Sequence, residues 1–352
     1  MTITGKSSVV QDSENSQSAT RRLRNVGAAI CLWRGGASLR QALFVMLMMT
    51  ARPAWSAETA LPITPAGGTD ISQAIMAPAG LYASAAVIPL NENSKFLGFD
   101  GKPVAPERNI KFSIPLMAVG LSYVYPSKIL GGSVSSSVQV PFYDLSYTLG
   151  TTATGHEKGM ADLYADLFYW SRTVTPGSAQ PLAQKPRLNV AFGFAMKMPT
   201  GKYDVQNPVN IGSNLWLFIP NAAVTYTGQG LLPGAASSEL SAKVFYGIPL
   251  RNRTTHYRSG HVMTVDFAGT QLVGHVRFGM AGTYSRQITE DNVPGRPEPA
   301  HGGKGDAVQI GPVVAYAIPG TKAAVKLKFL QEILAHNKVA NHFLAIGVGF
   351  KL

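Results

Sequence analysis

The chain contains very little cysteine and little charge. Cys31 is the one cysteine among 352 residues, and Asp, Glu, Lys and Arg make up 14% of the sequence, against roughly 25% in soluble globular domains. A single thiol excludes a disulfide scaffold and any zinc or iron–sulfur site held by several cysteines. If Cys31 lies in a removed leader, a cysteine nucleophile is excluded as well.

The sequence also lacks a basic region of the kind that binds nucleic acid. The net charge is +12, but seven of the 31 basic residues and two of the 19 acidic residues lie within residues 1–57. The remaining positive charge is scattered, without a basic run or a basic helix. Nucleic acid is therefore not an expected partner.

Long hydrophobic runs are absent, and this excludes a helical membrane protein. The one sustained apolar run near the start, residues 42–51, follows Arg34 and Arg40 and precedes the small residues of 54–57. This order predicts a signal peptide over residues 1–57 and a mature domain over 58–352. The first 30 residues are polar, which a start codon assigned too far upstream would explain; an amphipathic N-terminal helix is the alternative.

The chain does contain repeated alternation of apolar and other residues. Val190, Phe192 and Phe194, for example, alternate with Ala191 and Gly193. A period of two is typical of strands with one apolar face. It predicts twelve strands, at about 80–90, 109–124, 133–148, 160–172, 187–199, 214–227, 238–250, 255–272, 274–288, 306–318, 322–335 and 341–352.

An even number of strands of about ten residues predicts an all-β fold, a transmembrane antiparallel β-barrel of the bacterial outer membrane. In lipid every backbone group must be paired, so the sheet must close on itself with its apolar face outward. Alternation alone does not say which face points inward. A soluble β-sandwich or a lipocalin-like barrel with an apolar interior is therefore the alternative.

The spacing of the strands predicts the two ends of the barrel. Residues 272–274 and 319–321 are short turns of the periplasmic kind, whereas 91–108, 149–159, 200–213 and 289–305 are long polar connections of the outer kind. Residues 173–186 and 228–237 depart from this rule because they are too long for tight inner turns.

Several stretches, taken in order, resemble a known family. They are APAGLY at 77–82, YPSKILGGSVSSSVQVPFYDLSY at 125–147, MPTGKYDVQNPVNIGSNLWLFIPNAAVTY at 198–226, NRTTHYRSGH at 252–261 and QITEDNVPG at 287–295. They are similar to the outer-membrane barrel proteins called the putative MetA-pathway of phenol degradation family, over roughly residues 75–352. The resemblance implies a barrel of about twelve strands and passage of aromatic or hydrophobic compounds. The chain ends in Leu352, with Phe350 in register, whereas many outer-membrane barrels end in Phe.

Charged residues on the polar faces are the candidate lumen-lining set. A Lys or Arg on the lipid face near mid-membrane costs about 2–4 kcal/mol, so we expect these side chains to point inward. They either pair with one another and fill the barrel, or set the field of a pore. The excess of positive charge predicts a mild preference for anions. The set is Lys197, Arg258, Asp266, His275, Arg277, Lys326 and Lys328, which Asp162 and Asp166 join if Leu163, Leu167 and Tyr169 face outward.

Catalytic motifs are weak in this sequence. His256, Ser259 and His261 are close along the chain, but no oxyanion donors are evident, and a polar outer loop is the simpler interpretation. There is no phosphate-binding loop, dinucleotide fingerprint or zinc-binding His pair. We therefore predict neither enzyme activity nor a cofactor, and expect contact with outer-membrane lipid.

The predicted function is a passive outer-membrane channel or uptake port for small hydrophobic or aromatic compounds. An outer-membrane hydrolase acting on lipid or peptide is one alternative, and a structural or adhesive barrel is another.

Overall fold

The computed structural model describes residues 63–64, 69–105, 110–151, 153–175, 186–292 and 303–352. All of them belong to one compact unit, Trp55–Leu352. The predicted signal peptide at 1–57 lies outside the described residues.

The described residues form fourteen β-strands. In chain order they are β1 Gly80–Leu97, β2 Ile110–Ser113, β3 Leu116–Val124, β4 Ser133–Leu149, β5 Ala153–Met160, β6 Leu163–Thr173, β7 Arg187–Met198, β8 Leu217–Gly228, β9 Ser237–Pro249, β10 Val262–Val273, β11 Val276–Gln287, β12 Asp306–Ala317, β13 Ala323–His336 and β14 Lys338–Lys351. No helix in the described part of the chain is long and apolar enough to cross a membrane.

The sheet closes on itself as a barrel whose wall is twelve strands around. Each strand pairs antiparallel with its neighbours, and β14 returns to pair with β1 from Lys351 opposite Tyr82 to Lys338 opposite Leu97. β2 and β3 both lie between β1 and β4, while β5 and β6 both pair with β4, so each couple is one interrupted wall strand. The predicted twelve-stranded antiparallel barrel is confirmed.

The interruptions lie where the sequence cannot continue a regular ladder. Pro115 has no N–H to donate and separates β2 from β3. Its carbonyl still accepts a hydrogen bond from the N–H of Asp144, and the carbonyl of Pro141 accepts one from Ala161 between β5 and β6. The strands are therefore interrupted at this level, while these hydrogen bonds still join the wall.

The burial of β9 shows which face of the wall points outward. Leu240 and Val244 are 65% and 37% exposed, whereas Glu239, Ser241 and Lys243 are 2–5% exposed. The apolar residues thus lie outside and the polar ones inside. A soluble barrel with an apolar core would have the reverse arrangement. The apolar band is the lipid-facing surface of an outer-membrane barrel.

Several details of the predicted strands are wrong. The connection expected at 91–108 begins with the last seven residues of β1. The connection expected at 149–159 is mostly the strand β5, entered through a tight turn at Gly150 with φ of 55°; its outward face is polar, so the apolar alternation that marks strands is missing there. β10 begins at Val262 instead of 255 and β8 at Leu217 instead of 214. His275 lies in the turn between β10 and β11.

Candidate functional site

Residues 69–74, which precede β1, lie inside the barrel. Backbone N–H groups of Ser72, Gln73 and Ala74 donate to side chains of β9 and β8 at 2.7–2.9 Å. The carbonyls of Gln73 and Ala74 accept hydrogen bonds from Tyr169 and Ser171 of β6 at 2.6 Å. Since these partners come from different parts of a closed wall, the segment crosses the lumen. We call residues 69–79 the luminal segment.

Asp70 is the most strongly held residue of the luminal segment. Its carboxylate contacts the Lys326 ammonium at 3.0 Å and the Lys328 ammonium at 2.9 Å, and the Asp70 and Lys328 side chains are 2% and 3% exposed. Two cations from β13 therefore share one anion from the segment. Buried charges are tolerated only when they are paired in this way.

Further acidic groups of the wall bind the same segment. Asp266 of β10 accepts hydrogen bonds from the Thr69 N–H and hydroxyl at 3.2 and 2.6 Å. Glu239 of β9 accepts from Ser72 at 2.7 and 2.8 Å, and also contacts Arg277 of β11 at 3.3 Å. The segment is thus bound through fixed polar contacts on several sides of the lumen.

The predicted lumen-lining residues fall into two groups. Lys197, Asp266, Arg277, Lys326 and Lys328 lie on strands and are wholly or largely buried. The strand placement was wrong for the other two. Arg258 is an exposed loop residue bridged to Asn292, and His275 is an exposed turn residue.

The interior also contains charges that the sequence analysis had not placed there. Asp70, Glu239 and Lys243 join the predicted set, and Lys243 lies 4.2 Å from the Tyr169 ring centroid and 4.7 Å from that of Phe245. Asp70 and Glu239 compensate three of the predicted cations. The excess of positive charge that predicted an anion preference is therefore largely cancelled. The signal for Glu239 and Lys243 was their alternation with Leu240 and Val244; for Asp70 there was none.

A cavity of about 440 Å³ lies at the end of the barrel where β1 begins. This end has the short turns and is the periplasmic one. The strand residues that line this cavity include Tyr82, Ser84, Ala324 and Gly349. A Cβ added at Gly349 would meet no atom closer than 4.0 Å, so the space beside this glycine is open.

The outer half of the interior contains an apolar cluster. A buried cluster there comprises Phe112, Tyr143, Leu145, Ala161, Val209 and Ile211, and Val339 of β14 packs against it. A second cavity of about 320 Å³ is lined by Glu332, Ala335 and Leu97, among others. Both volumes exceed the roughly 150 Å³ that accommodates a benzene molecule in an apolar cavity.

The histidines and serine of the outer loop do not form a catalytic group. Ser259 is 2% exposed, and its hydroxyl has no hydrogen-bond partner within the described residues. His261 instead contacts the Tyr246 hydroxyl at 3.0 Å. A hydrolase would require the base to contact the nucleophile. The described residues also contain no group of three or more His, Cys, Asp or Glu side chains arranged to hold a metal ion.

Comparison with known families shows to which family this barrel belongs. The sequence profile of the family described as "Putative MetA-pathway of phenol degradation" matches residues 97–344. The chain belongs to this family. A search of curated protein sequences gave no match.

A solved structure shares the architecture of this barrel. The chain is similar to the COG4313 outer membrane channel from Pseudomonas putida F1, with a TM-score of 0.65, 13% identity, and coverage of 81% of this chain and 100% of that one. The β-domain of the Bordetella autotransporter BrkA (TM-score 0.43, 10% identity, 78% and 100% coverage) and the CymD monoaromatic hydrocarbon channel (0.35, 8%, 78% and 89%) are more distant. The fold is that of a bacterial outer-membrane barrel.

Proposed function

We propose that this barrel is a passive channel through which small hydrophobic or aromatic compounds cross the outer membrane. The observation that carries the proposal is a closed barrel with cavities of about 440 and 320 Å³ toward its two ends. Each has the size of a site for one small ligand. The family match and the channel of similar fold support this function.

The interior favours apolar passengers over hydrated ions. Arg277, Lys326 and Lys328 are compensated by Glu239 and Asp70, and the outer half contains the buried apolar cluster around Phe112 and Tyr143. A hydrated ion would therefore find little uncompensated charge at these residues and would lose part of its hydration shell. We infer a non-enzymatic role, because transport of this kind needs no covalent step and no cofactor.

We also infer that residues 1–57 are removed on export, so that the mature chain begins near residue 58. The sequence pattern of the leader supports this inference. N-terminal sequencing of the protein recovered from outer membranes tests it. A mature protein that retained residue 1 would contradict it.

The channel can be tested by filling the periplasmic cavity with a larger side chain. In Gly349→Leu the new side chain occupies open space, so the barrel should fold while the passage narrows. Val348→Leu is the matched control, since Val348 is 36% exposed on the lipid face. We expect the initial rate of p-xylene entry into cells lacking other such channels to fall several-fold for Gly349→Leu and to stay unchanged for Val348→Leu. Equal entry with and without the barrel would refute the channel.

A further inference from the structure

Two connections at the periplasmic end of the barrel carry leucines that the protein leaves almost uncovered. Leu130, between β3 and β4, is 83% exposed, and Leu231, between β8 and β9, is 80% exposed. Their neighbours Ile129 and Leu232 are each about half exposed. Single exposed apolar residues are common on any protein, but two adjacent pairs at one end of the same barrel indicate a surface that contacts something apolar.

The backbone at Leu130 favours a different residue. Ile129 and Gly132 exchange two backbone hydrogen bonds of 2.9 Å, so Leu130 and Gly131 are the central residues of a tight turn. Both have positive φ angles, 49° and 73°. Turns of this kind prefer asparagine or glycine at the first central position, and a leucine there is strained. The turn thus carries a leucine at its tip although asparagine would suit its backbone better.

The outward face of β6 lies beside this turn. The side chains of Tyr169 and Ser171 bind the luminal segment, so Trp170 and Arg172, which alternate with them, point away from the lumen. Trp170 stacks on Phe192 of β7, with 6.1 Å between the ring centroids, and Phe192 is among the exposed apolar residues of the lipid-facing band. Trp170 and Arg172 therefore lie on the surface that lipid covers.

These two side chains hold the turn against the outside of the wall. The Trp170 indole N–H donates to the Ile129 carbonyl at 2.7 Å, and the Arg172 guanidinium donates to the Leu130 carbonyl at 3.3 Å. The turn at 129–132 is therefore folded back along the lipid-facing surface, with Leu130 at its tip.

The connection between β8 and β9 is held in the same way. The Gln229 carbonyl accepts a hydrogen bond from the Ser238 hydroxyl at 2.6 Å, and the Leu231 N–H donates to Gln271 Oε1 at 3.0 Å. Ser238 lies opposite Gln271 in the sheet, and both share the outward face of Leu240. This connection is longer than a tight inner turn because its extra residues fold outward.

The charges around the two connections fit the boundary between acyl chains and phospholipid headgroups. Residues 228–237 contain no charged side chain. The turn at 129–132 is flanked by the exposed cations Lys128 and Arg172. Lys and Arg at a membrane boundary keep their apolar stems in contact with lipid and place their charges beside phosphate groups.

We propose that residues 129–132 and 229–236 are leaflet anchors, which insert their leucines among the phospholipid acyl chains of the periplasmic leaflet. Phospholipid is the occupant because both connections are held on the lipid-facing face of the wall and continue its apolar surface. A tryptophan beside the inserted leucine is typical of this depth in a membrane. The anchors fix the height of the barrel in the membrane, which goes beyond the channel function and does not depend on it.

Fluorescence quenching in phospholipid vesicles tests the position of each tip. In the full barrel with Cys31→Ser, Leu130→Cys and, separately, Leu231→Cys provide one site for a bimane fluorophore. One quencher is a phospholipid with a nitroxide near the start of its acyl chain, and the other is iodide on both sides of the membrane. His275→Cys is the matched control, because His275 is exposed in the periplasmic turn between β10 and β11.

The two quenchers should give opposite orders of quenching. We expect the nitroxide lipid to quench the fluorophore at 130 and at 231 several-fold more strongly than the fluorophore at 275. Iodide should quench the fluorophore at 275 more strongly than the other two. Two separate tips keep the test decisive if one labelled variant fails to fold.

Leu130→Asn separates anchoring from a role within the turn. Asparagine suits the backbone at this position, so a role confined to the turn predicts that the barrel unfolds from phospholipid vesicles at an equal or higher urea concentration. Loss of an anchor predicts the opposite shift, to a lower urea concentration. Leu231→Asn should shift unfolding in the same downward direction.

Three results would overturn the anchors. The first is iodide quenching at 130 and 231 as strong as that at 275. The second is an unchanged or raised urea midpoint in both asparagine variants. The third is that both tips are open to iodide in vesicles but protected in isolated outer membranes, which would indicate a protein partner in place of lipid.

Discussion

Asp70→Ala is the most informative perturbation of the luminal segment. The substitution removes the carboxylate that lies 3.0 Å from the Lys326 ammonium and 2.9 Å from that of Lys328. It leaves both lysines inside the barrel without their partner. The wall itself keeps every backbone hydrogen bond, so the substitution should weaken docking of the segment and not closure of the barrel.

The size of the effect follows from the burial of the two lysines. Removing one partner of a buried ion pair costs about 3–5 kcal/mol because a charge remains unpaired. Lys328 is 3% exposed and bears this cost, whereas Lys326 is 32% exposed and regains part of its hydration. The lower figure, about 3 kcal/mol, therefore applies, and it corresponds to a roughly hundred-fold larger undocked population.

The segment should nevertheless stay docked most of the time. Eight hydrogen bonds between the wall and Thr69, Ser72, Gln73 and Ala74 remain in the variant. Each contributes about 1 kcal/mol net. The expected change is thus more frequent undocking without loss of the folded barrel.

Amide hydrogen exchange at Ala74 measures the undocked population. Ala74 is fully buried, and its N–H donates to the Thr225 hydroxyl at 2.9 Å. Exchange should accelerate about a hundred-fold in Asp70→Ala, with brief opening events in single-channel recordings. Asp70→Leu combined with Lys326→Met and Lys328→Met should restore part of the protection, since the carboxylate and both of its lysines are then removed together. Unchanged exchange in Asp70→Ala would refute the argument.

Two further predictions concern the wall. Cysteine at Thr283, beside Asp266 in the lumen, should react with a water-soluble thiol reagent, while cysteine at Met280, 48% exposed on the lipid face, should not; the reverse would contradict the register. Beyond the apolar band, hydrogen bonds from His156 and Lys158 lower the pKa of Asp144. This interaction stabilises the β4–β5 hairpin above the carboxyl's unfolded pKa and is lost as the pH falls through the folded value. Acid should therefore lower the amide protection factors there, which compare each rate with the intrinsic rate at the same pH, in wild type but not in Asp144→Asn.

The sequence alone determined the architecture of the wall. A strand in contact with lipid on one face must alternate its residues, and this alternation is local, so segments such as 187–199 and 306–318 could be assigned without knowing their neighbours. The inward position of Lys326 and Lys328 followed from the same alternation. Where the outward face is polar, as in β5, the local signal disappears and the strand was missed.

Only the tertiary structure decided what fills the lumen. Nothing in the pattern of residues 69–79 indicates that Asp70 lies between two lysines more than 250 positions away, because that contact depends on closure of the whole barrel. The pairing of Asn91 on β1 with Phe343 on β14 has the same origin, since it forms only when the barrel closes. Charge counted along the sequence predicted an excess of cations, but the fold compensates them with carboxylates from distant segments. An electrostatic interaction depends on distance in space, which the sequence does not contain.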